Sequence, residues 1–346
     1  RKRMLSGEKL PECESCWKQE ANGPHSKRLR ENRKYLKRHL SKIEEAKSND
    51  GSLKSSPVYF DLRLGNRCNL KCRTCNPIFS HLWKAELEEN GVENLKGYAL
   101  SDNQYMLKRS QQMSAWYRDQ FFGNLSDVID NLEEVYVSGG EPTLISELNN
   151  FMQVCAERRR ASEIDMRLNS NILVVPSEFM ENLLKFKKVQ FGASIDAFGE
   201  RNSWLRHPSK WTAIEKNLLR LAEMSKNHKN FNLSVNITIS SYNAFYVDEL
   251  ILWIKDKCPH VDFIFDFVSK PWSMSLKTFP KSLVEPAIEK IRKISFSELN
   301  KMEVMYLGQL EKALLASGSE ESGDLRNELI HCLLYTSPSP RDGLLS

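Results

Sequence analysis

Three cysteines fall within eight residues, in the run Gly65-Asn66-Arg67-Cys68-Asn69-Leu70-Lys71-Cys72-Arg73-Thr74-Cys75-Asn76-Pro77. A Cys-x3-Cys-x2-Cys spacing lets one short loop converge three thiolates on a compact metal centre, and soft sulfur donors favour zinc or an iron–sulfur cluster. The number of ligands separates the two. Structural zinc takes four protein ligands in a complete shell, whereas three thiolates on a four-iron cube leave one iron open to a ligand that is not protein. A second pair, Cys13-Glu14-Ser15-Cys16, is half a metal site. Cys155 and Cys258 read as core thiols, the first on an apolar helix face and the second at a helix end before Pro259. None of the seven histidines has ligand spacing to another, and no Ser/His/Asp order, Walker loop or dinucleotide-type glycine loop occurs. Hydrolase and kinase chemistry therefore lacks its residues.

Six segments that alternate in period two must position these groups. The first sets Val58, Phe60, Leu62 and Leu64 against Tyr59, Asp61 and Arg63, and it runs directly into the cysteine loop. The others lie at 135–138, 164–169, 189–196, 233–240 and 261–267. Helical stretches separate them, clearest at 144–159, where Leu144, Leu148, Phe151, Met152 and Cys155 share a face. Repeated strand and helix predicts βα units and a parallel α/β sheet. Parallel strands are ordinarily apolar on both faces, so six polar faces need a reason. A sheet curved into a partial (β/α)6 TIM-like barrel supplies one, with polar sides lining a wide cavity. An antiparallel sheet with one wet face is the other reading. The cysteine loop would leave the carboxyl end of a barrel strand, where active sites of that architecture sit. Asn236 and Thr238 would face the same cavity.

Composition bounds the class. At 40% hydrophobic and 27% charged, 346 residues can bury a large core, which excludes disorder, collagen and a coiled coil alone. No apolar run approaches the roughly 20 residues that span a bilayer, so a membrane role is not expected. Sparse, clustered cysteines point to a reducing, cytoplasmic compartment. Residues 1–50 carry 14 Lys/Arg against 8 Asp/Glu, while the whole chain is +5. Lys27 to Arg38 holds Glu31, Tyr35 and Leu36 and no RNA-binding signature, which argues against nucleic acid and for a solvated helix face.

The expected organisation is a cysteine-bearing segment at 1–46, a linker at 47–56, the barrel at 57–270 and helices at 271–331. Within the barrel, 78–132 reads as an aromatic-rich helical insertion containing Trp83, Leu87, Tyr98, Trp116, Tyr117, Phe121 and Phe122. Residues 281–316, after Pro280, read as one or two amphipathic helices. Arg1 to Glu8 reads as the middle of a segment. Residues 332–346, from Cys332, resemble the translation of a sequencing adapter and are expected to be non-native.

The motifs taken together resemble the radical S-adenosylmethionine (SAM) enzymes. The three-cysteine spacing is that family's defining motif, and Ser138-Gly139-Gly140-Glu141-Pro142 matches its Gly-Gly-Glu-Pro element. Arg167-Leu168-Asn169-Ser170-Asn171 resembles a Thr-Asn-Gly-like strand end, and Ser194-Ile195-Asp196-Ala197-Phe198-Gly199 a Ser-hydrophobic-Asp-Gly one, with Arg206 a short way on. The resemblance implies that Cys68, Cys72 and Cys75 hold a [4Fe-4S] cluster whose open iron is chelated by the amino and carboxylate groups of SAM. It implies reductive cleavage of SAM to methionine and a 5′-deoxyadenosyl radical that abstracts hydrogen from a substrate. Gly139, Gly140, Glu141 and Pro142 would meet the methionine ammonium, since glycines let backbone approach and carbonyls and Glu141 offer acceptors. Asn169 would lie near the ribose, Ser194 and Arg206 would hold the carboxylate, and Asp196 belongs to the same strand end. A surface ion pair is the other reading of Arg206.

One position departs from the family pattern. Thr74 stands where most members carry an aromatic residue near the adenine, and Tyr59, Tyr136 and Phe79 are the candidate substitutes. Pro11-Glu12-Cys13-Glu14-Ser15-Cys16-Trp17, with Glu20, Gly23 and Ser26-Lys27-Arg28, resembles the N-terminal segment of members with a twitch or SPASM-like auxiliary cluster domain. That implies Cys13 and Cys16 as auxiliary iron–sulfur ligands, with a zinc half-site and free thiols as the other readings. Such members often act on peptides or proteins, and a reductant such as flavodoxin or ferredoxin is implied. A cluster-binding barrel that has lost turnover and a metal-stabilised nucleic-acid module are the competing functions.

Overall fold

All six alternating segments are strands of one sheet. The computed structural model describes residues 2–21, 26–63, 65–90, 104–106, 108 and 128–317. Its strands are β1 (Tyr59–Arg63), β2 (Lys71–Cys72), β3 (Glu134–Ser138), β4 (Asp165–Ser170), β5 (Lys188–Ser194), β6 (Arg206–His207), β7 (Phe231–Ile239) and β8 (Asp262–Phe267). The large sheet runs β1-β3-β4-β5-β7-β8, every pairing is parallel, and it does not close, so β1 and β8 are edges. The antiparallel alternative is excluded, and the open parallel sheet of a partial barrel is what the chain builds. Leu64 lies outside the described residues. Along β7 every second residue, Phe231 to Ile239, is buried, while Asn232, Ser234, Asn236 and Thr238 take the other face. Register carries that polar face across the sheet: Tyr136 pairs Arg167, Asn169 pairs Gly192, Gly192 pairs Ser234, and Ser194 pairs Asn236.

Residues 1–57 form a compact unit of their own. It contains α1 (Lys2–Leu5), a 3-10 turn at Pro11–Cys13, α2 (Glu14–Ala21), α3 (Lys27–Tyr35) and α4 (Leu40–Ser48). Among its described residues Ala46 alone is buried, so polar and stacking contacts hold it. Arg28 pairs with Glu20 and lies 4.2 Å over the Trp17 ring, and Trp17 Nε1 donates to the Leu10 carbonyl at 3.1 Å.

In the second unit, α5 (His81–Asn90) follows the cysteine loop, and α6 (Ser146–Glu157), α7 (Ser177–Leu183), α8 (Glu200–Leu205), α9 (Trp211–Asn227) and α10 (Val247–Lys257) alternate with the strands. The apolar stripes are at helical spacing: Leu148, Phe151, Met152 and Cys155 on α6, and Ile214, Leu218, Leu221 and Ala222 on α9. These stripes and the apolar strand faces make one core that also contains Cys258. α6 starts later than the pattern 144–159 predicts. Pro142 opens a 3-10 turn ending at Leu144, and Ile145 takes the buried place before the helix begins. Of the aromatic insertion, Trp83 and Leu87 on α5 are buried with Met106 in a small separate cluster, while Tyr98, Trp116, Tyr117, Phe121 and Phe122 lie outside the described residues.

After Pro280 come α11 (Val284–Arg292) and α12 (Lys301–Leu315). Asn300 and Glu303 form a capping box at the start of α12. Glu303 also accepts from Lys255 Nζ at 2.7 Å and Phe263 N at 3.1 Å, a buried tie between α12, α10 and the edge strand β8. No helix among the described residues is long and apolar enough to cross a membrane.

Candidate functional site: three strand ends around the cysteine loop

The cysteine loop follows β1 and is stitched to the start of α5. Asn66 Nδ2 donates to the Pro77 carbonyl at 3.0 Å, and His81 N donates to the Asn66 carbonyl at 2.8 Å. Ser80 Oγ donates to the Leu70 carbonyl at 2.7 Å, Cys68 N to His81 Nδ1 at 3.2 Å, and Trp83 Nε1 to the Cys72 carbonyl at 2.9 Å. Buried backbone groups in a loop need such partners. The loop is therefore held by side chains that no thiol has to supply.

Two further strand ends reach it. After β3, Glu141 N donates to the Arg67 carbonyl at 2.8 Å, and a side chain at Gly140 would put its Cβ 2.5 Å from that same oxygen. Gly139 and Gly140 sit at φ 85° and 59°, where side chains are strained. After β4, Asn171 Nδ2 donates to Asn69 Oδ1 at 2.7 Å and lies 3.9 Å from Cys68 Sγ. Asn171 is followed by Ile172 at φ 52°, an outlier for a β-branched residue. Glu141 joins these two ends: Oε1 accepts from Thr143 N, Thr143 Oγ1 and Ser170 Oγ, and Oε2 accepts from Asn171 N at 2.7 Å. Glu141 is 1% exposed; burial pushes its pKa up and the donors pull it back. The acceptor role expected of Glu141 is thus used inside the protein.

The third end is β6, which pairs antiparallel with β2 and sets Arg206 opposite Cys72. Arg206 Nη1 lies 3.8 Å from Cys72 Sγ, and Nε lies 2.7 Å from Asp196 Oδ2, an ion-pair contact whose N–H is not aligned on the oxygen. The pair is buried, not at the surface. Asp196 Oδ1 accepts from Thr238 N at 2.8 Å. Asn169 takes part in a different network on the polar face, donating to Tyr136 Oη at 3.1 Å and accepting from Asn236 Nδ2 at 2.9 Å. Ser194 stands beside Asn236 at the end of β5. Phe79, of the three aromatic candidates, lies against the glycine turn, with Cδ1 3.6 Å from the place of a Gly139 Cβ.

Three thiols on one short loop are a donor set that a four-iron cluster could take. Among the described residues no three His, Cys, Asp or Glu gather as a single metal ion requires. A cube spreads its protein ligands over separate iron corners, so its thiolates need not converge on one point. Burial pushes the Cys68 thiol up to about 12 and raises Cys72 and Cys75 as well; Cys75 adds to the rise at Cys68, Cys68 and Cys75 add to it at Cys72, and Arg206 opposes it for all three. A bound cationic centre reverses that order and takes the thiols as thiolates. Asn69 Nδ2, beside Cys68, is buried without a hydrogen-bond partner.

Sequence reasoning passed over Asn171 as a ligand-loop contact in favour of Asn169 on the strand face. The signal that distinguishes them is the left-handed turn at Ile172, which no residue preference announces. Cys13 and Cys16 belong to the N-terminal unit, at the 3-10 turn and in α2, and both are half-buried and in no disulfide. Gly23 lies outside the described residues, as do residues 332–346.

No protein-family model matches the chain, and no curated protein does. Solved structures similar to it include SuiB of Streptococcus suis bound to precursor peptide SuiA, at 15% identity and TM-score 0.42, covering 78% of this chain and 53% of SuiB. SuiB bound to S-adenosylmethionine is similar at 15% identity and TM-score 0.39, covering 75% of this chain and 49% of that one. Native anSMEcpe with bound AdoMet and Kp18Cys peptide is similar at 19% identity and TM-score 0.44, covering 76% and 68%. The chain thus spans about half the length of SuiB.

Proposed function

We propose that this chain is a radical SAM enzyme in which Cys68, Cys72 and Cys75 hold a [4Fe-4S] cluster and leave its fourth iron to SAM. One observation carries the reading: the family's motif residues, read from sequence alone, meet at one loop through Glu141 N to Arg67 O, Asn171 Nδ2 to Asn69 Oδ1, and Arg206 Nη1 to Cys72 Sγ. When bound and reduced, the cluster supplies the electron that cleaves SAM to methionine and a 5′-deoxyadenosyl radical for hydrogen abstraction.

The chain's own residues bind and orient. Gly139 and Gly140 keep side chains away from the backbone carbonyls proposed for the methionine ammonium, because Glu141 is satisfied internally. Ser194 is the hydroxyl proposed for the carboxylate, and Asn169, oriented by Tyr136 and Asn236, the amide proposed for the ribose. Phe79 is the aromatic surface proposed to replace the one missing at Thr74. A peptide or protein substrate, auxiliary iron–sulfur ligation by Cys13 and Cys16, and a flavodoxin- or ferredoxin-type reductant follow from the sequence resemblance and belong to the same proposal. So does the division into a twitch-like segment at 1–46, a linker at 47–56, a barrel at 57–270 and a helical region at 271–331.

The test is anaerobic reconstitution with iron and sulfide, then dithionite and SAM, with 5′-deoxyadenosine measured for wild type and Cys72→Ala. Product from wild type and none from the variant is expected; equal product from both overturns the reading. Iron uptake without product would assign a cluster-binding barrel without turnover. Iron near about four per chain, one cube, rather than about eight would remove Cys13 and Cys16 from the ligand set.

A further inference from the structure

We infer that Arg206 is a positioning residue that raises the reduction potential of the metal centre through Cys72, with Asp196 as its counterweight. The inference rests on the proposal that Cys72 is a cluster ligand. Three observations carry it. The β2–β6 ladder fixes the backbone of Arg206 opposite that of Cys72, and the next residue, Arg73, donates its N–H to the Leu205 carbonyl at 2.9 Å. Arg73 also stacks on Trp204 at 3.8 Å and donates through Nε to the Trp204 carbonyl at 3.0 Å, so this crossing is locked on both sides. Within it the guanidinium is divided: Nη1 is 3.8 Å from Cys72 Sγ and Nε is 2.7 Å from Asp196 Oδ2.

The side chains of Arg206 and Asp196 are 11% and 3% exposed, so solvent screens their charges little. Asp196 cannot swing away, because its Oδ1 accepts from Thr238 N, its own N–H donates to Asn202 Oδ1, and its carbonyl accepts from Asn243 Nδ2. A one-electron reduction adds a negative charge beside the ligand sulfur. A fixed cation there favours the reduced form, and hydrogen bonds to ligand sulfur act in the same sense. The fixed carboxylate on the other side of the guanidinium favours the oxidised form. The two side chains therefore set the potential as a difference. Cys68 has neutral donors instead: Leu70 N at 3.4 Å and Asn171 Nδ2 at 3.9 Å.

The test is a dithionite redox titration of the reconstituted protein followed by electron paramagnetic resonance, with iron content and thermal melting measured on each variant. Arg206→Leu is expected to shift the reduction equilibrium at least tenfold toward the oxidised form, about 59 mV for one electron. Asp196→Asn is expected to shift it toward the reduced form, and the double variant to fall between the two. Arg206→Lys, which keeps the charge but not the fork, is expected to shift less than Arg206→Leu. Should Arg206→Leu fail to fold, the opposed signs of Arg206→Lys and Asp196→Asn decide. Iron-loaded variants with the wild-type potential, or shifted in the same direction, overturn the inference while leaving the cluster in place. A wild-type protein that takes up no iron overturns the underlying reading as well.

Discussion

Gly140→Ala tests whether the glycine turn and the cysteine loop are one rigid body. The added Cβ would stand 2.5 Å from the Arg67 carbonyl oxygen, 3.1 Å from its nitrogen and 3.2 Å from its carbonyl carbon. All three are backbone atoms of the cysteine loop, so no side chain can rotate out of the way. Relief requires about 0.5 Å of movement merely to reach the closest approach that Cβ atoms tolerate. That movement separates Arg67 O from Glu141 N, now 2.8 Å apart, and Glu141 is buried. A buried amide left unpaired costs about 1–3 kcal/mol, and a left-handed alanine at φ 59° adds about 1–2 kcal/mol. A loss of roughly 2–5 kcal/mol in urea unfolding is expected, together with lower iron retention after reconstitution, because the displaced strand of loop runs directly into Cys68. A variant within about 0.5 kcal/mol of wild type that retains its iron would refute the reasoning.

Further substitutions probe the surroundings. In Gly192→Ala the new Cβ would lie 2.3 Å from Asn236 Nδ2 and 2.5 Å from Asn169 Oδ1, breaking the amide bridge over β5; about 1 kcal/mol should be lost. Adding Asn236→Ala should cost less than the sum of the single changes by about 0.5–1 kcal/mol, and additive urea-unfolding energies would count against a shared contact. Glu303→Gln leaves Lys255 charged and buried, its side chain 5% exposed, and is expected to cost about 3–5 kcal/mol. Restoration of at least part of that by Lys255→Met in the same chain is the check, and a single variant losing under about 1 kcal/mol would refute the tie. Gly308→Ala, in α12 with nothing within 4 Å of the added Cβ, should stabilise by about 0.5–1 kcal/mol and raise the thermal midpoint; a lower midpoint would contradict it.

The large sheet was legible because each of its strands carries three or more alternating positions, enough for period two to register. The two-residue strands β2 and β6 carry no period at all, yet their ladder brings Arg206 to Cys72. The ion pair of Asp196 with Arg206 was likewise invisible, since it depends on how α8 folds back between them. The capping box of Asn300 and Glu303 can be read from spacing. The partner of Glu303 at Lys255 cannot, because that contact is made by packing α12 on α10 and β8 rather than by any local preference. Ile172 is the clearest case. Its type argues for extended backbone, and the structure holds it at φ 52° with Asn217 Nδ2 donating to its carbonyl at 2.7 Å and its own N–H donating to Ser170 Oγ at 3.0 Å.

That strain has a structural counterpart in how the polar groups are distributed. Glu141 is held by Thr143, Ser170 and Asn171; Asp196 by Thr238 and Arg206; Asn169 by Tyr136 and Asn236. These ties join β3 to β4, β4 to β7, and β5 to both β6 and β7, so together they hold the outlets of β3, β4, β5 and β6. What they leave for the proposed ligands is a short list: three thiols, the backbone of Gly139 and Gly140, the hydroxyl of Ser194, the second N–H of Asn169 and the unpaired Nδ2 of Asn69. A site built this way spends most of its buried polar side chains on holding geometry and few on contact. Preorganisation of that kind is what a reaction needs when the bound groups carry the chemistry and the protein must fix where it happens. Holding Ile172 against its preference is then the local cost of aiming Asn171 back at Asn69 and Cys68.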